Sequence, residues 1–534
     1  MAGPSRRARV AKHLKEIFTT GEGQYINEQG EYVYGKLPRT KAENPFRTFR
    51  RPTLMNYVYF FVGWMAWTMD GYDFHTVSLS ISRLATFYGQ HREHISTSIT
   101  LTLLFRSLGA AIFGIAGDLY GRKYPMIANL ILIAALQLAT AYCATFNQFL
   151  GVRALFGVGM GGIWGLAASM GLETIVHVWV DRVKNLLSDM PMEARGLFSG
   201  ILQQGYALGY LIAAIFNLYV VPKSPYSWKA LFFIGAGLTV AVAIARVFFP
   251  ESKQFIEAKR SGEQATGRKK VKLFWQDGKS IMKEYWKRAL YAVVMMSITP
   301  MKYSLFNFMS HTSQDMYPTY MQQTKGFSPE MSSKATIIAK TGALVGGTIC
   351  GHYSQFFGRR ATIMAATFCG ACLIPMWVVP SSWGTLTAGA FLLQFMVQGA
   401  YGVVPIHLQE LSPPQFRSSF PGIAYQLGNM ISAPAAQISS VISEGWIIHV
   451  NGEERPDYAR TQAAMMTVIF SLLCFWTACG SEQRGSHFEL AAAAGGIGGH
   501  SDKLRELENF EMQDPPSAKQ GGVREIIEGQ RSNA

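Results

Sequence analysis

The sequence has little charge for its length. Only 16% of its 534 residues are Asp, Glu, Lys or Arg, against about 25% in an average soluble domain, while hydrophobic residues make up 49%. These figures exclude an ordinary soluble enzyme, and an aromatic content of 13% excludes a disordered chain. The 6 cysteines all lie within apolar runs, so a disulfide framework of the secreted type is excluded as well.

The amino-terminal arm has no apolar stretch before Asn56, so the sequence predicts no cleaved signal peptide. The arm is basic and contributes to a net charge of +15. Positive residues cluster beside apolar runs, which indicates a membrane surface rather than nucleic acid as their partner. No Walker A string occurs, so ATP is not the expected energy source.

Long apolar runs fill the middle of the sequence. A bilayer crossing needs about 20 apolar residues, and twelve runs of about that length can be read. Each is predicted to be a helix, because backbone groups in lipid must satisfy their own hydrogen bonds. The runs are Tyr57–Ile81, Ile95–Ala116, Tyr124–Thr145, Phe149–Leu172, Leu197–Val220, Lys229–Phe249, Ala289–Met309, Ala335–Phe356, Ala361–Val379, Trp383–Leu408, Phe420–Ile442 and Ala463–Gly480.

A basic connector between the sixth and seventh runs sets the predicted orientation. Lysine and arginine concentrate on cytoplasmic loops of membrane proteins, so we expect this connector to be cytoplasmic. An even number of crossings then places both termini on the same side. The predicted domains are a basic arm (1–54), a first six-helix half (55–250), the connector (251–288), a second six-helix half (289–480) and a disordered tail (481–534).

Two short turns indicate an internal repeat. GIAGDLYGRK at Gly114–Lys123 and GHYSQFFGRR at Gly351–Arg360 both contain glycine, six residues, glycine and two cations. The offset between the two turns is 237 residues, and the acids Glu173 and Glu410 are separated by the same 237. The two halves are therefore predicted to be structural repeats.

The repeat breaks after Glu173. Glu410 and Arg417 are 7 residues apart, whereas Glu173 and Arg195 are 22 apart, so the first half holds 15 extra residues. Removing Thr174–Ser188 would restore the match. This piece is either a genuine interfacial helix or a retained intron translated in frame, and the second interpretation is slightly favoured.

The densest polar signal lies at the outer end of the seventh run. Polar side chains are costly in hydrocarbon, so this segment is expected to face a wet cavity. His311 and Asp315 share a face if the helix continues, and histidine changes its charge in the mildly acidic range, so this pair is a candidate for proton coupling. The candidate binding residues in NFMSHTSQDMYPT are Asn307, Ser310, His311, Ser313, Gln314, Asp315 and Thr319.

Two amides lie three residues apart in the eleventh run. Gln426 and Asn429 share one helix face and offer donors and acceptors without charge. Such a pair suits a carboxylate or hydroxyl that must later be released. Hydrogen bonding between helices is the alternative interpretation.

Four charged residues lie inside predicted spans, where each costs about 2.5 kcal/mol or more at the bilayer centre. Arg106 and Lys340 are candidate cations for an anionic substrate, because arginine offers a bidentate fork and lysine a point charge. The alternative is that Arg106 pairs with an aspartate of the first run. Asp70 and Asp73 in that run are candidate proton carriers.

Two further motifs are expected to serve packing alone. GVGMGG at Gly157–Gly162 fits a dinucleotide-binding pattern, but no strand precedes it, so close helix packing explains the glycines better. Cys369 and Cys372 form C-x-x-C on an apolar helix without a second pair or nearby histidine. They are expected to be core residues rather than metal ligands.

A six-plus-six repeat with a basic G-x-x-x-D-x-x-G-R-K turn after the second span resembles the major facilitator superfamily, over residues from about 55 to 480. The resemblance implies an all-α membrane protein of twelve transmembrane helices with a midplane site. It also implies a cytoplasmic gate at Asp118 and Arg122, to which Glu173 and Glu410 are assigned. Arg153, in R-x-x-x-G-x-G, resembles a superfamily motif linked to proton coupling, with snorkelling at the membrane boundary as the alternative.

The polar segment is more specific. It fits N-x-x-[ST]-H-x-[ST]-Q-D-x-x-x-T at every specified position, and so resembles the signature of the fungal Jen-type carboxylate permeases in the sialate and lactate:proton symporter branch. The Q-x-x-N pattern of the eleventh run is similar in that family. The resemblance implies a proton-coupled plasma-membrane symporter of short-chain carboxylates such as lactate, pyruvate or succinate.

The expected partners are therefore a carboxylate substrate, protons and the lipid bilayer, with no nucleic acid, cofactor, metal or enzymatic reaction. Two alternatives are a proton-coupled sugar or other organic-anion porter and a non-transporting nutrient receptor on the same scaffold. The sequence ranks neither monocarboxylates against dicarboxylates nor one oligomeric state against another.

Overall fold

The computed structural model describes residues 22–26, 32–36, 44–50, 52, 54–172, 192–249, 304–411, 419–450 and 453–479. This part of the chain is almost entirely helical, as expected for segments that must satisfy their backbone hydrogen bonds in lipid. It also contains two antiparallel hairpins that the sequence did not predict. These are β1 (Glu22–Ile26) with β2 (Tyr32–Lys36), and β3 (Ile447–Val450) with β4 (Glu453–Pro456).

The first half of the chain forms six long helices after a short one. Each of the first six predicted runs lies within its helix, apart from at most three residues at one end. The helices are α1 Pro45–Phe49, α2 Leu54–Tyr88, α3 Arg92–Tyr120, α4 Lys123–Tyr142, α5 Phe146–Leu172, α6 Met192–Tyr219 and α7 Lys229–Phe248.

The second half repeats this plan with more interruptions. Of the predicted run Ala289–Met309, residues 304–309 belong to the described part and are helical. The helices are α8 304–314, α9 Tyr317–Gln323, α10 Pro329–Phe357, α11 Arg359–Val378, α12 Trp383–Tyr401, α13 Val404–Leu411, α14 Ser419–Ser432, α15 Ala435–Glu444 and α16 Tyr458–Cys479.

Three spans predicted as continuous helices are broken by short turns. The breaks lie at residues 315–316, 402–403 and 433–434. Pro318 in the first turn of α9 and Pro434 between α14 and α15 explain two of them, because proline has no backbone N–H to continue the helical ladder. The break at 315–316 falls inside the predicted polar segment, so it divides that segment between two helices.

Eight helical segments are long and apolar enough to cross a membrane, namely α3 to α7, α11, α12 continued by α13, and α16. The long helices α2 and α10 are absent from that set. They carry buried polar and charged side chains, including Asp70 and Lys340, in place of apolar ones. The polar content that weakens their apolar character is the content that forms the site described below.

The two halves contact each other along two helix pairs. Helix α6 packs against α10 so closely that a Cβ on Gly196 would lie 2.7 Å from the carbonyl oxygen of Gly351. This approach lies at the end of the bundle that carries the turns 121–122 and 358, here called the basic end. Helix α3 packs against α14, and near the opposite end Gln437 Nε2 donates to Thr97 Oγ1 at 3.1 Å. The halves therefore touch at both ends.

The basic turns confirm the predicted repeat. Lys123 Nζ donates to the backbone oxygen of Val247 at 2.7 Å, which closes the end of α7. Arg360, 237 residues later, donates through Nε to the backbone oxygen of Thr477 at 3.1 Å and also contacts the oxygen of Ala478, which closes the end of α16. The second cation of each turn thus satisfies carbonyls at the end of the last helix in its half.

The hairpin β3–β4 ties the end of α9 to the beginning of α16, opposite the basic end. Thr324 Oγ1 donates to the backbone oxygen of Pro456 at 3.1 Å and accepts from the backbone N–H of Tyr458 at 3.0 Å. Arg455 Nη1 donates to the oxygen of Gln322 at 3.3 Å. This surface of the second half is therefore held by polar contacts.

The two packing motifs have different outcomes. A Cβ on Gly157 or Gly161 would collide with backbone carbonyls of α3, so the glycines of GVGMGG serve close helix packing as predicted. The prediction that Cys369 and Cys372 are core residues is wrong, because both side chains are exposed on α11. A membrane helix can be apolar on its outer face too, so an apolar run does not tell which face is inside.

Several predicted features lie outside the described residues. These are the inserted piece Thr174–Ser188, the acid Glu173, the connector 251–288, the tail 481–534 and most of the amino-terminal arm.

Candidate functional site

A chain of hydrogen bonds links α8 to α14 at the interface between the halves. His311 Nδ1 lies 2.7 Å from Asp315 Oδ2, and His311 Nε2 lies 3.3 Å from Asn429 Oδ1. Asn429 Nδ2 donates to Gln426 Oε1 at 2.7 Å. All four side chains are buried, and we call them the histidine chain. The structure thus brings together the two motifs that the sequence singled out separately.

The amide orientations present an acceptor to each ring nitrogen of His311. Asp315 offers a carboxylate oxygen to Nδ1, and Asn429 offers its amide oxygen to Nε2 because its amide nitrogen is used by Gln426. A neutral imidazole has only one N–H, whereas the imidazolium has two. This arrangement therefore matches the protonated ring.

The neighbouring residues of α8 attach it to the helices around it. Tyr401 donates its hydroxyl to Asn307 Oδ1, and Asn307 Nδ2 donates to the backbone oxygen of Tyr425 at 3.3 Å. Gln314 Nε2 donates to Ser310 Oγ at 2.9 Å. Asn307 and Ser310 therefore position α8 around the histidine chain.

Lys340 enters the site from α10. Its Nζ donates to Gln314 Oε1 and lies 4.2 Å from the centre of the Tyr210 ring, which belongs to α6 of the other half. On its far face Tyr210 stacks against His75, with ring centres 3.8 Å apart. A cation over a buried aromatic ring is stabilised electrostatically, so Lys340 connects the two halves.

Ser313 and Thr319 lie at the margin of the predicted motif. Ser313 Oγ donates to the backbone oxygen of Ser310 at 3.2 Å, and the backbone oxygen of Ser313 accepts from Gln394 at 3.2 Å. Thr319 lies in α9, beyond the break at 315–316, and is half-buried. The structure does not include Thr319 in the histidine chain.

Arg106 pairs with Asp70, which is the alternative that the sequence left open. Arg106 Nη2 lies 2.8 Å from Asp70 Oδ2, with both side chains buried. The guanidinium lies 5.3 Å from the centre of the Phe74 ring, whose other neighbour is His311 with ring centres 6.1 Å apart. This ion pair of the first half therefore adjoins the histidine chain of the second half.

Asp73 belongs to a different polar group, inside the first half. It accepts from Gln137 Nε2 at 3.0 Å and from Thr239 Oγ1 at 3.1 Å. Arg153 Nη1 donates to Gln137 Oε1 at 3.4 Å, and only 1% of Arg153 is exposed, so it does not snorkel to the membrane boundary. The structure thus separates the two candidate aspartates, Asp70 at the interface and Asp73 within a half.

The predicted gate is formed in the second half by a bidentate ion pair. Arg359 Nη2 and Nε donate to the two carboxylate oxygens of Glu410 at 3.0 and 3.2 Å. Gln355, which replaces the acid of the first copy, accepts from Arg359 Nη2 at 2.6 Å. Asp118 and Arg122 lie half-buried at the equivalent turn of the first half.

Aromatic residues complete the site, and the sequence analysis did not select them. Trp164 of α5 stacks on Tyr425 of α14 with ring centres 4.4 Å apart, so it links the two halves. Its Nε1 donates to Gln203 Oε1 at 3.1 Å. Their one sequence signal was position, because Tyr425 adjoins Gln426 and Gln203 lies on the glycine-rich fifth run.

Two related halves that enclose a buried polar site at their interface are the arrangement of repeat-built membrane transporters. The Sugar (and other) transporter family matches residues 46–479, and the chain belongs to this family of the major facilitator superfamily. The predicted fold class and the resemblance to this superfamily are confirmed. Members of the family are transporters rather than enzymes.

Individual relatives make the similarity more specific. The chain is 32% identical over 443 residues to the carboxylic acid transporter protein homolog of Saccharomyces cerevisiae, covering 80% of this chain and 68% of that protein. It is 25% identical over 388 residues to the sialic acid transporter NanX of Escherichia coli, covering 72% and 86%. Among solved structures, the proton:xylose symporter XylE superposes with a TM-score of 0.62 at 15% identity, over 81% of this chain and 98% of that chain.

Proposed function

We propose that the chain is a proton-coupled symporter of short-chain carboxylates, such as lactate, pyruvate or succinate, in the plasma membrane. The observation that carries this proposal is the histidine chain, a titratable residue held between a carboxylate and two amides at the interface of the halves. The relative named as a carboxylic acid transporter homolog supports the substrate class.

The charges around the interface favour uptake of an anion together with a proton. Arg106 and Lys340 are balanced by Asp70 and Asp315 when His311 is neutral. Protonation of His311 leaves one net positive charge among these buried groups. A buried charge without a partner is costly, so the protonated site is complementary to one carboxylate.

The ion pair Arg106–Asp70 supplies a second way to couple the two ligands. Asp70 Oδ1 has no hydrogen-bond partner among the described residues, so a proton can be added there without displacing another donor. A protonated Asp70 no longer neutralises Arg106, whose fork is then available to a substrate carboxylate. Proton and anion binding are thereby favourable together and unfavourable separately.

The orientation follows from the basic end. Lysine and arginine at that end place it in the cytoplasm by the positive-inside rule, so both termini are cytoplasmic. The contacts at both ends describe a closed state, from which opening of α6 from α10 exposes the cytoplasmic side and opening of α3 from α14 the outer side. Because an inward-negative potential opposes an anion by about 2.3 kcal/mol per charge per 100 mV, at least one proton per carboxylate charge is needed.

The test is uptake of labelled lactate and succinate in cells lacking their own permeases, at acidic external pH. We expect uptake that a protonophore abolishes. Uptake of xylose or glucose, without uptake of either acid, would instead support the sugar-porter alternative. Counterflow separates transport from reception, because a receptor binds labelled solute without exchanging it for unlabelled solute across the membrane.

A further inference from the structure

A cavity inside the second half adjoins the site. It has an empty volume of about 230 Å³ and lies between α8, α9, α10, α11 and α12. Drug-sized ligands occupy pockets of about 300 Å³ or more, so this space suits a ligand of few atoms. We call it the side cavity, and the lining residues that matter here are Ser313, Gln314, Tyr317, Lys340, Trp377 and Gln394.

Lys340 brings an unbalanced charge to the side cavity. Only 2% of the residue is exposed, and its Nζ donates to the neutral Gln314 Oε1. Within the described part of the chain, no carboxylate lies within ion-pair distance of that Nζ. A buried ammonium without a counter-ion is costly unless a ligand supplies the anion. The side cavity therefore has the charge to receive a carboxylate.

Two unpartnered polar atoms give the side cavity a more specific chemistry. The hydroxyl of Tyr317, a residue 3% exposed, has no partner in the described structure and offers a second donor to a carboxylate. Gln394, also 3% exposed, uses Nε2 on the backbone oxygen of Ser313 at 3.2 Å, which leaves its Oε1 without a partner. The amide cannot be reversed favourably, because a carbonyl oxygen accepts and does not donate.

The side cavity therefore combines donors for an anion with one acceptor that requires a neutral donor. A carboxylate fits Lys340 and Tyr317, and a hydroxyl on the adjacent carbon fits Gln394 Oε1. A keto group or a hydrogen at that carbon has nothing to donate. The indole of Trp377, fully buried, provides an apolar wall for the remaining carbon atoms.

We infer that the side cavity is a subsite for the hydroxy end of a 2-hydroxycarboxylate, with Lys340 and Tyr317 on the carboxylate and Gln394 on the hydroxyl. This inference rests on the proposed carboxylate transport and adds a preference within that class. Lactate is favoured over propionate and over pyruvate, because only lactate satisfies the acceptor of Gln394. An unsatisfied buried acceptor costs about tenfold or more in affinity.

The first experiment uses the unaltered protein and three acids of similar size. Uptake of labelled lactate is measured against competing unlabelled lactate, propionate and pyruvate at one external pH. We expect half-maximal inhibition by lactate at a concentration about tenfold below those of the other two. Equal inhibition by all three would overturn the subsite while leaving carboxylate transport intact. No uptake of any of the acids would overturn the proposed function itself.

The second experiment removes the acceptor. Gln394→Met keeps the side-chain length but has no amide oxygen, so the preference for lactate over propionate should fall to near unity. The matched control is Gln462→Met, a buried glutamine of α16 whose amide atoms also lack partners in the described structure but which does not line the side cavity. The ratio of two acids within one variant is independent of its expression.

A third variant keeps the experiment decisive if Gln394→Met does not reach the membrane. Tyr317→Phe removes a donor to the carboxylate, which all three acids share, and retains the acceptor. We expect weaker inhibition by all three acids with the lactate preference unchanged. A selective loss of the lactate preference in Tyr317→Phe would place the hydroxyl on Tyr317 and overturn the assignment to Gln394.

Discussion

Arg106 and Asp70 are bound to each other 2.8 Å apart, in a place where no solvent reaches either side chain. The arginine that a substrate anion requires is therefore already occupied by a carboxylate of the protein. A competing anion must displace that carboxylate or meet it in its protonated form. Binding of substrate and protonation of Asp70 are thus linked by one shared partner.

Replacing Arg106 by lysine should weaken substrate binding. Arg106→Lys keeps the positive charge but exchanges a fork for a point charge, so we expect the half-saturation concentration for uptake to rise about tenfold, the value of one charge-assisted hydrogen bond. The control is Arg83→Lys, because Arg83 donates to Asn217 at 2.7 Å outside the site. An unchanged half-saturation concentration in Arg106→Lys would remove Arg106 from substrate binding.

His311 is expected to set the dependence of transport on external pH. His311→Gln retains hydrogen-bonding groups for Asp315 and Asn429 but does not titrate. Uptake should be weaker, and its rise towards acidic pH should flatten, at equal surface expression. His94→Gln is the control, because His94 is exposed and bonded to Gln90 away from the interface. A parental pH profile in His311→Gln would assign coupling to Asp70 or Asp73 instead.

A methyl group on Gly196 should open the basic end. Its Cβ would lie 2.7 Å from the oxygen of Gly351 and 3.1 Å from Arg359 Nη1, so α6 must move away from α10. Overpacking costs about 1 kcal/mol or more, which is about a fivefold change in an equilibrium between closed and open states. Spin labels at Tyr120 and Phe357, both exposed at this end, should report longer distances.

Gly237→Ala is the control for that measurement, because nothing lies within 4 Å of a Cβ at Gly237. Its label distances should match those of the parent. Identical distances in Gly196→Ala and the parent would show that the α6–α10 contact does not hold the basic end closed.

The inserted piece Thr174–Ser188 should be dispensable. The spacing from Glu173 to Arg195 exceeds its counterpart in the second half by 15 residues. A chain lacking Thr174–Ser188 is expected to keep or improve its uptake. Sequencing of the mature messenger gives the direct answer, and a main species that retains these codons would contradict the intron interpretation.

The sequence predicted the spans and the polar segment well because both depend on local composition. Apolar runs locate helices to within a few residues, and the density of polar groups from Asn307 to Asp315 was visible without a structure. The gate residue Glu410 was found through the repeat offset. The same offset pairs Asp70 with Asn307, which explains why each half brings one polar residue to the same level of the interface.

Contacts between distant helices were beyond the sequence. Whether Arg106 would meet a substrate or Asp70 depends on how α2 packs on α3, which composition does not specify. Tyr210, Trp164 and Tyr425 resemble ordinary apolar residues of membrane helices, so only their approach across the interface identifies them as part of the site. The exposure of Cys369 has the same origin, because a single apolar helix does not distinguish lipid from protein.

Lys123 and Arg360 each fasten the final helix of a half to the turn that begins its third spanning helix. Each half is thereby closed on itself, and the contacts of α6 with α10 and of α3 with α14 join the halves without using the polypeptide between them. The molecule can therefore be regarded as a dimer of two covalently joined modules. Two fragments divided within residues 251–288 and produced together should assemble and carry substrate, as measured by uptake, whereas either fragment alone should not.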